Sequence, residues 1–229
     1  MTRLLLGCLL SWVLALPAMA ALNAGDKAPD FKAQASLAGK VFTFSLRDAL
    51  RRGPVVIYFY PAAFTNSCNI QAHQFAADYE KFVAAGATVV GVSLDSIDRL
   101  NAFSADPNYC GGKVTVASDS DGSIARSYDL QVKEPPPGIT DIQGIVIEHG
   151  LVEQMTFVVA PDGKIAATVA DGSPAANVAK ALEAVQRLAA KQLTRALSPA
   201  GPRANEKYGL SPKAMAVIVR PLSGRSAAW

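Results

Sequence analysis

Six consecutive apolar residues, Val55-Val56-Ile57-Tyr58-Phe59-Tyr60, run directly into Pro61. A stretch so short, apolar on both faces and rich in β-branched residues reads as a buried central strand, and Pro61 ends it. A second run of this kind, Ala87-Thr88-Val89-Val90-Gly91-Val92-Ser93, follows after about one helix length. Between them, Ile70, Phe75, Tyr79, Phe82 and Val83 are spaced for a helix over 67–85, stopped by Gly86.

The remaining elements follow from local signals. Leu22 to Lys32 is a polar lead-in, and Lys40-Val41-Phe42-Thr43-Phe44 alternates like a strand. Ser45 caps a short helical stretch, Leu46 to Arg52, closed by Gly53-Pro54. Ser96 caps a helix carrying Ile97, Leu100 and Phe103. Lys113 to Ala117 is a short strand, and Asp119 or Asp121 caps a short helix through Arg126 to Tyr128. Residues 131–154 are irregular, with a loop-like Pro135-Pro136-Pro137. Met155–Val159 and Ile165–Val169 flank Asp162-Gly163, a hairpin signal. Ser173-Pro174 opens a last helix through about Arg195. The order β-α-β-α-β-α-β-β-α predicts an α/β protein with a central mixed sheet flanked by helices. A thioredoxin-like fold has this pattern, as do several others.

Composition narrows the function. Half of the 229 residues are hydrophobic and 18% are charged, which excludes wholesale disorder. The net charge is only +3, with no dense basic block, so a general nucleic-acid binder is discounted. Two histidines and three cysteines are too few for a Cys/His zinc site, so no metal and no cofactor is expected.

Residues 1–20 read as an export signal: Arg3, an apolar run from Leu4 to Leu16, then Pro17-Ala18-Met19-Ala20. Cleavage after Ala20 would remove Cys8 and leave Cys68 and Cys110 in an oxidising compartment, a bacterial periplasm being the expectation. The run is shorter than the roughly 18 residues a membrane span needs, which argues against a retained anchor. Leu5-Leu6-Gly7-Cys8 resembles a lipoprotein box, but the apolar run continues well past Cys8. Residues 21–197 are read as one domain. Residues 198–229, rich in Pro, Gly, Ala and Ser, are read as a flexible tail in which Met215 to Val219 could add a strand.

Cys68 lies in the first turn of the helix after the central strand. Unpaired N–H groups and a partial positive charge gather there and favour a thiolate. Thr65 stands three residues earlier with a hydroxyl that can donate or accept, and Pro61 fixes the loop. The same residues also fit a buried, inert cysteine with Thr65 as a plain helix cap.

The segment Pro61-Ala62-Ala63-Phe64-Thr65-Asn66-Ser67-Cys68 resembles the active-site segment of peroxiredoxins: Pro, three residues, Thr, two residues, then the peroxidatic cysteine. Tyr58-Phe59-Tyr60-Pro61 and Cys68-Asn69-Ile70-Gln71-Ala72 are similar to the bacterioferritin-comigratory (Q-type) branch, as is Phe157-Val158-Val159-Ala160-Pro161-Asp162-Gly163-Lys164-Ile165. The likeness spans about residues 22–190. It implies a thioredoxin-like fold and a thiol peroxidase. Cys68 would attack a peroxide and become a sulfenic acid, with Thr65, Pro61 and the Cys68 N–H around it. Arg126, in Ile124-Ala125-Arg126-Ser127-Tyr128, is where the resemblance places the cation for the leaving oxygen. The reductant would be a thioredoxin-like protein or a small thiol, and the branch is often monomeric.

Two departures stand out. Many relatives carry a resolving cysteine five residues after the first, where this chain has His73. Cys110, in Asn108-Tyr109-Cys110-Gly111-Gly112, is then the candidate resolving thiol, against a one-cysteine mechanism or a bystander role. Gln71 stands where a glutamate that could pair with the arginine is common. Other chemistries fit less well. A Cys–His hydrolase would need His73 or His149 beside Cys68 with an orienting partner. A Cys-x-x-Cys dithiol motif is absent. An exported binding module with a structural Cys68–Cys110 disulfide is the non-enzymatic alternative.

Overall fold

The structure, a computed structural model, describes residues 21–170 and 173–197. The proposed signal, the Cys8 motif and the tail from 198 onward lie outside the described residues.

The two apolar runs form β3 (Val55–Phe59) and β4 (Thr88–Ser93), which pair in parallel at the centre of a seven-stranded mixed sheet. β5 (Thr115–Ser118) continues the parallel set beside β4. β1 (Lys32–Leu37) and β2 (Lys40–Ser45) extend that side as an antiparallel hairpin. β8 (Met155–Val159) and β9 (Ile165–Val169) extend the other, antiparallel to β3. The strand order is β2-β1-β5-β4-β3-β8-β9.

Alternation along β3 divides the core. Val55, Ile57 and Phe59 point to one face, covered by α1 (Leu46–Leu50) and α5 (Ser123–Ser127). Val56 and Tyr58 point to the other, covered by α2 (Asn66–Ala77), α3 (Tyr79–Ala84), α4 (Ile97–Ala105) and α6 (Pro174–Leu197). All of β3 is buried, as a strand covered on both faces must be.

Three local expectations change. The helix over 67–85 is two helices, broken at Asp78, whose carboxylate takes Lys81 and the Gln74 amide. Between the lead-in and Lys40, where no element is expected, lies β1, whose inward residues Ala33 and Ala35 are too small to stand out as a hydrophobic alternation. Residues 131–154 contain a small ribbon of β6 (Val132–Lys133) and β7 (Leu151–Val152). The proposed cap of α5 uses both aspartates: Asp119 accepts from the N–H groups of Ile124 and Ala125, and Asp121 from that of Ser123.

Gly91 is required by close approach. A Cβ built there would lie 2.5 Å from Tyr58 Cζ and 2.9 Å from Tyr60 Cε1. The two rings, stacked with centroids 5.4 Å apart, lie directly over the β4 backbone. Gly91→Ala is therefore expected to destabilise the fold by about 1–3 kcal/mol through overpacking, read by chemical denaturation.

Candidate active site

β3 delivers the chain to Pro61 at the carboxyl edge of the sheet, and a tight loop then enters α2. Phe64 holds a left-handed conformation, φ 61°, uncommon for a non-glycine residue. The first main-chain bond of α2 runs from the Asn69 N–H to Thr65 O. The N–H groups of Asn66, Ser67 and Cys68 therefore stand at the open helix end. Thr65 occupies the N-cap position without capping; its hydroxyl donates to Ala62 O at 2.8 Å, closing the loop on itself.

Cys68 is 1% exposed and is a free thiol. Burial pushes its pKa up, opposed by hydrogen bonding from Thr65, the backbone of Ala62 and Ser67. The helix start alone suggested a depressed value; desolvation outweighs it.

Cys110 shares the apolar cluster of Cys68 on this face of the sheet, and it too is a buried free thiol. Burial, and then the Asp106 charge, drive its pKa far up. Its turn is held by Gly111 N–H to Asp106 O, Gly112 N–H to Ser104 O and Lys113 N–H to Cys110 O, with both glycines at positive φ. His73, at the position where relatives carry a cysteine, meets Asn108 O at 3.1 Å through Nδ1 and so ties α2 to this turn. Between these elements Tyr58 stacks on Phe75, centroids 4.5 Å apart, and its buried hydroxyl has no hydrogen-bond partner among the described residues.

The structure does not bring Arg126 to Cys68. Its neighbours Ile124 and Ala125 pack on the opposite face of the sheet. The Arg126 side chain is exposed and folds back over Gly122, donating to Asp121 O. The physical reason is the face of the sheet on which α5 lands, which motif spacing alone does not reveal.

Two polar groups near the thiol have partners that the sequence does not reveal, one around Gln71 and one around Asp95. Gln71, buried one helical turn after Cys68, accepts from Gln154 Nε2 at 2.7 Å and donates to Asn177 Oδ1 at 3.1 Å. Thr156 donates to the same Asn177 oxygen at 2.7 Å. The glutamate–arginine pair that the resemblance suggested is thus replaced at Gln71 by a neutral amide chain joining α2, β8 and α6. The spacing of Gln71 from Cys68, three residues along one helix face, was the available signal.

The second group surrounds Asp95, fully buried after β4. Its Oδ2 accepts from Ala63 N–H and from Ser93 Oγ, both at 2.7 Å. Its Oδ1 faces Arg99 Nε at 3.2 Å and His149 Nε2 at 3.1 Å. Arg99 also reaches Ala63 O and the Asp141 carboxylate, and lies over the Phe64 ring. His149 is thus paired with a carboxylate and not with the sulfur, contrary to what a Cys–His hydrolase needs.

Residues 24–168 match the AhpC/TSA family. The chain belongs to this family. A Mycobacterium tuberculosis protein named for the peroxiredoxins is 33% identical over 159 residues, which span 69% of this chain and 92% of that one. Peroxiredoxin Bcp of Xanthomonas campestris is 32% identical over 111 residues, 48% of this chain and 62% of that protein. The crystal structure of peroxidoxin BcpB from M. tuberculosis superposes with a TM-score of 0.61 at 26% identity, covering 73% of this chain and 98% of that one. Membership of the AhpC/TSA family makes the chain a peroxiredoxin of thioredoxin-like fold and a thiol peroxidase. The Q-type resemblance agrees with these named relatives.

Proposed function

We propose that this chain is an exported thiol peroxidase in which Cys68 reduces hydrogen peroxide or organic hydroperoxides and Cys110 resolves the product. The observation that carries the reading is a buried thiol at an open helix N-terminus, beside the Thr65 hydroxyl. The Cys68 thiolate attacks the terminal peroxide oxygen. The O–O bond breaks, the leaving oxygen takes a proton and departs as water or alcohol, and Cys68 becomes a sulfenic acid. The N–H groups of Asn66, Ser67 and Cys68 are the donors that face the developing negative charge, joined by the Thr65 hydroxyl once it turns from Ala62 O.

Cys110 then attacks the sulfenic sulfur, forming a disulfide and releasing water. Both thiols are buried in one apolar cluster, and the disulfide requires the 106–113 turn to bring the two sulfurs into bonding geometry. Gly111 and Gly112 supply the freedom for it. A thioredoxin-like protein or small thiol reduces the disulfide. Residues 1–20 supply the export signal.

The test is intact mass after one equivalent of peroxide on the pre-reduced protein. Wild type is expected to lose two hydrogens. Cys110→Ser is expected to stop at a sulfenic or sulfinic product, and its turnover with a thioredoxin-type reductant is expected to fall at least about tenfold. An unchanged wild-type mass, or the same oxygen adduct in both proteins, would remove Cys110 from the mechanism.

A further inference from the structure

His149 lies in the irregular 131–154 segment, yet both of its ring nitrogens are engaged. Nδ1 is 2.9 Å from the Gly150 carbonyl oxygen, and Nε2 is 3.1 Å from Asp95 Oδ1. A carbonyl oxygen only accepts. Asp95 Oδ1 also accepts: Arg99 Nε faces it at 3.2 Å, while Oδ2 accepts hydrogen bonds from Ala63 N–H and Ser93 Oγ, the pattern of an ionised carboxylate. A neutral imidazole has one N–H and would set an acceptor against an acceptor at one of these contacts. The arrangement fits only the imidazolium. Burial of His149 opposes its charge, while Asp95 and the Gly150 carbonyl raise its pKa, with a net upward shift.

Asp95 connects this histidine to the peroxidatic loop. One carboxylate oxygen takes His149 and Arg99; the other holds the Ala63 N–H, two residues after Pro61 and five before Cys68. The same segment grips the loop a second time, through Ile142 N–H to Phe64 O. The titratable and charged groups around this pair are Arg99 from α4, which is itself paired with Asp141 of the segment, and the buried Tyr60 hydroxyl and Cys68 thiol, both of which feel the Asp95 charge.

We propose that Asp95 is a positioning residue for the peroxidatic loop and that His149, as an imidazolium, is the proton-operated latch that holds it. With His149 charged, Asp95 is balanced and Ala63 is held. As pH rises and His149 loses its proton, the remaining N–H stays on Nε2 against the carboxylate, and Nδ1 becomes an acceptor facing the Gly150 carbonyl. The clash at Gly150 loosens the grip of the segment, the charge on Asp95 is then balanced by Arg99 and no longer by His149, and its negative charge acts more strongly on Cys68. Cys68 ionisation becomes harder as the latch opens, so thiolate reactivity rises less steeply with pH above the His149 transition than a lone thiol would.

This inference takes Cys68 as the reacting thiol from the preceding reading, but its test does not use peroxide. Iodoacetamide alkylation of Cys68 in the full chain is followed against pH by peptide mass, which separates Cys68 from the other cysteines. In parallel, the His149 ring is titrated by NMR and assigned by its loss in His149→Gln. Wild type is expected to show a break in the alkylation profile at the His149 transition. His149→Gln is expected to lose the break and to react roughly three- to tenfold more slowly near pH 6. Asp95→Asn is expected to lower the His149 transition by about one pH unit. If Asp95→Asn does not fold, the His149→Gln comparison decides alone. Superimposable wild-type and His149→Gln profiles would overturn the latch, as would an unperturbed His149 titration. Peroxide consumption by Cys68→Ser would instead overturn the choice of reacting thiol and leave both titrations standing.

Discussion

Cys68→Ser consumes no peroxide: its rate is expected to fall at least about 10³-fold against wild type, and one equivalent of peroxide leaves its mass unchanged. A serine hydroxyl is not ionised near neutral pH, and oxygen lacks the polarisability with which a thiolate opens an O–O bond. The fold is expected to survive. The substitution exchanges one small side chain for another, and the incoming hydroxyl finds Thr65 nearby; the cost is about 1–3 kcal/mol, the range for burying a polar group. A circular-dichroism melt separates lost chemistry from lost structure. The non-enzymatic module predicts the reverse, with no peroxide consumed by wild type and a Cys68–Cys110 bond that resists mild reductant. Wild-type-like consumption by Cys68→Ser would place the reaction elsewhere.

Phe75→Ala is the substitution expected to cost most in stability, about 3–5 kcal/mol. Phe75 is fully buried two turns after Cys68, stacked on Tyr58 at 4.5 Å and against Phe82 at 5.6 Å. Its removal opens a cavity where β3, α2 and α3 meet, and rigid aromatic neighbours cannot collapse to fill it. At roughly 2–4 °C per kcal/mol, the melting temperature should drop by about 10 °C or more. Because α2 carries Cys68 at its start, the folded fraction should also let iodoacetamide reach Cys68 faster than in wild type. A loss under about 1 kcal/mol would mean that the site closes around the gap. It would also mean that Phe75 does not anchor α2.

The fold and the position of the thiol were legible because their signals are local. A continuous apolar run, a helical spacing, Pro61 and the Asp162-Gly163 turn each act over a few residues, and the strand–helix alternation then leaves few arrangements. Where local signals are weak the reading slipped. β1 turns only alanines inward over much of its length, and Asp78 breaks a helix whose apolar spacing runs on unbroken.

The surroundings of Cys68 were decided by the tertiary structure. Gln71 meets Gln154 across 83 residues of chain and Asn177 across 106; Asp95 meets His149 across 54. No spacing rule couples such positions, because a buried amide or carboxylate takes whichever partner the packed sheet brings within reach. Arg126 makes the same point in reverse: the resemblance placed it at the thiol, while α5 lies on the other face of the sheet. Local sequence chemistry determined the scaffold and the place of the proposed nucleophile, since strand, turn and helix start are set by adjacent residues. Charge balance and hydrogen bonding around that nucleophile depend on elements far apart in the chain, and only the folded sheet brings them together.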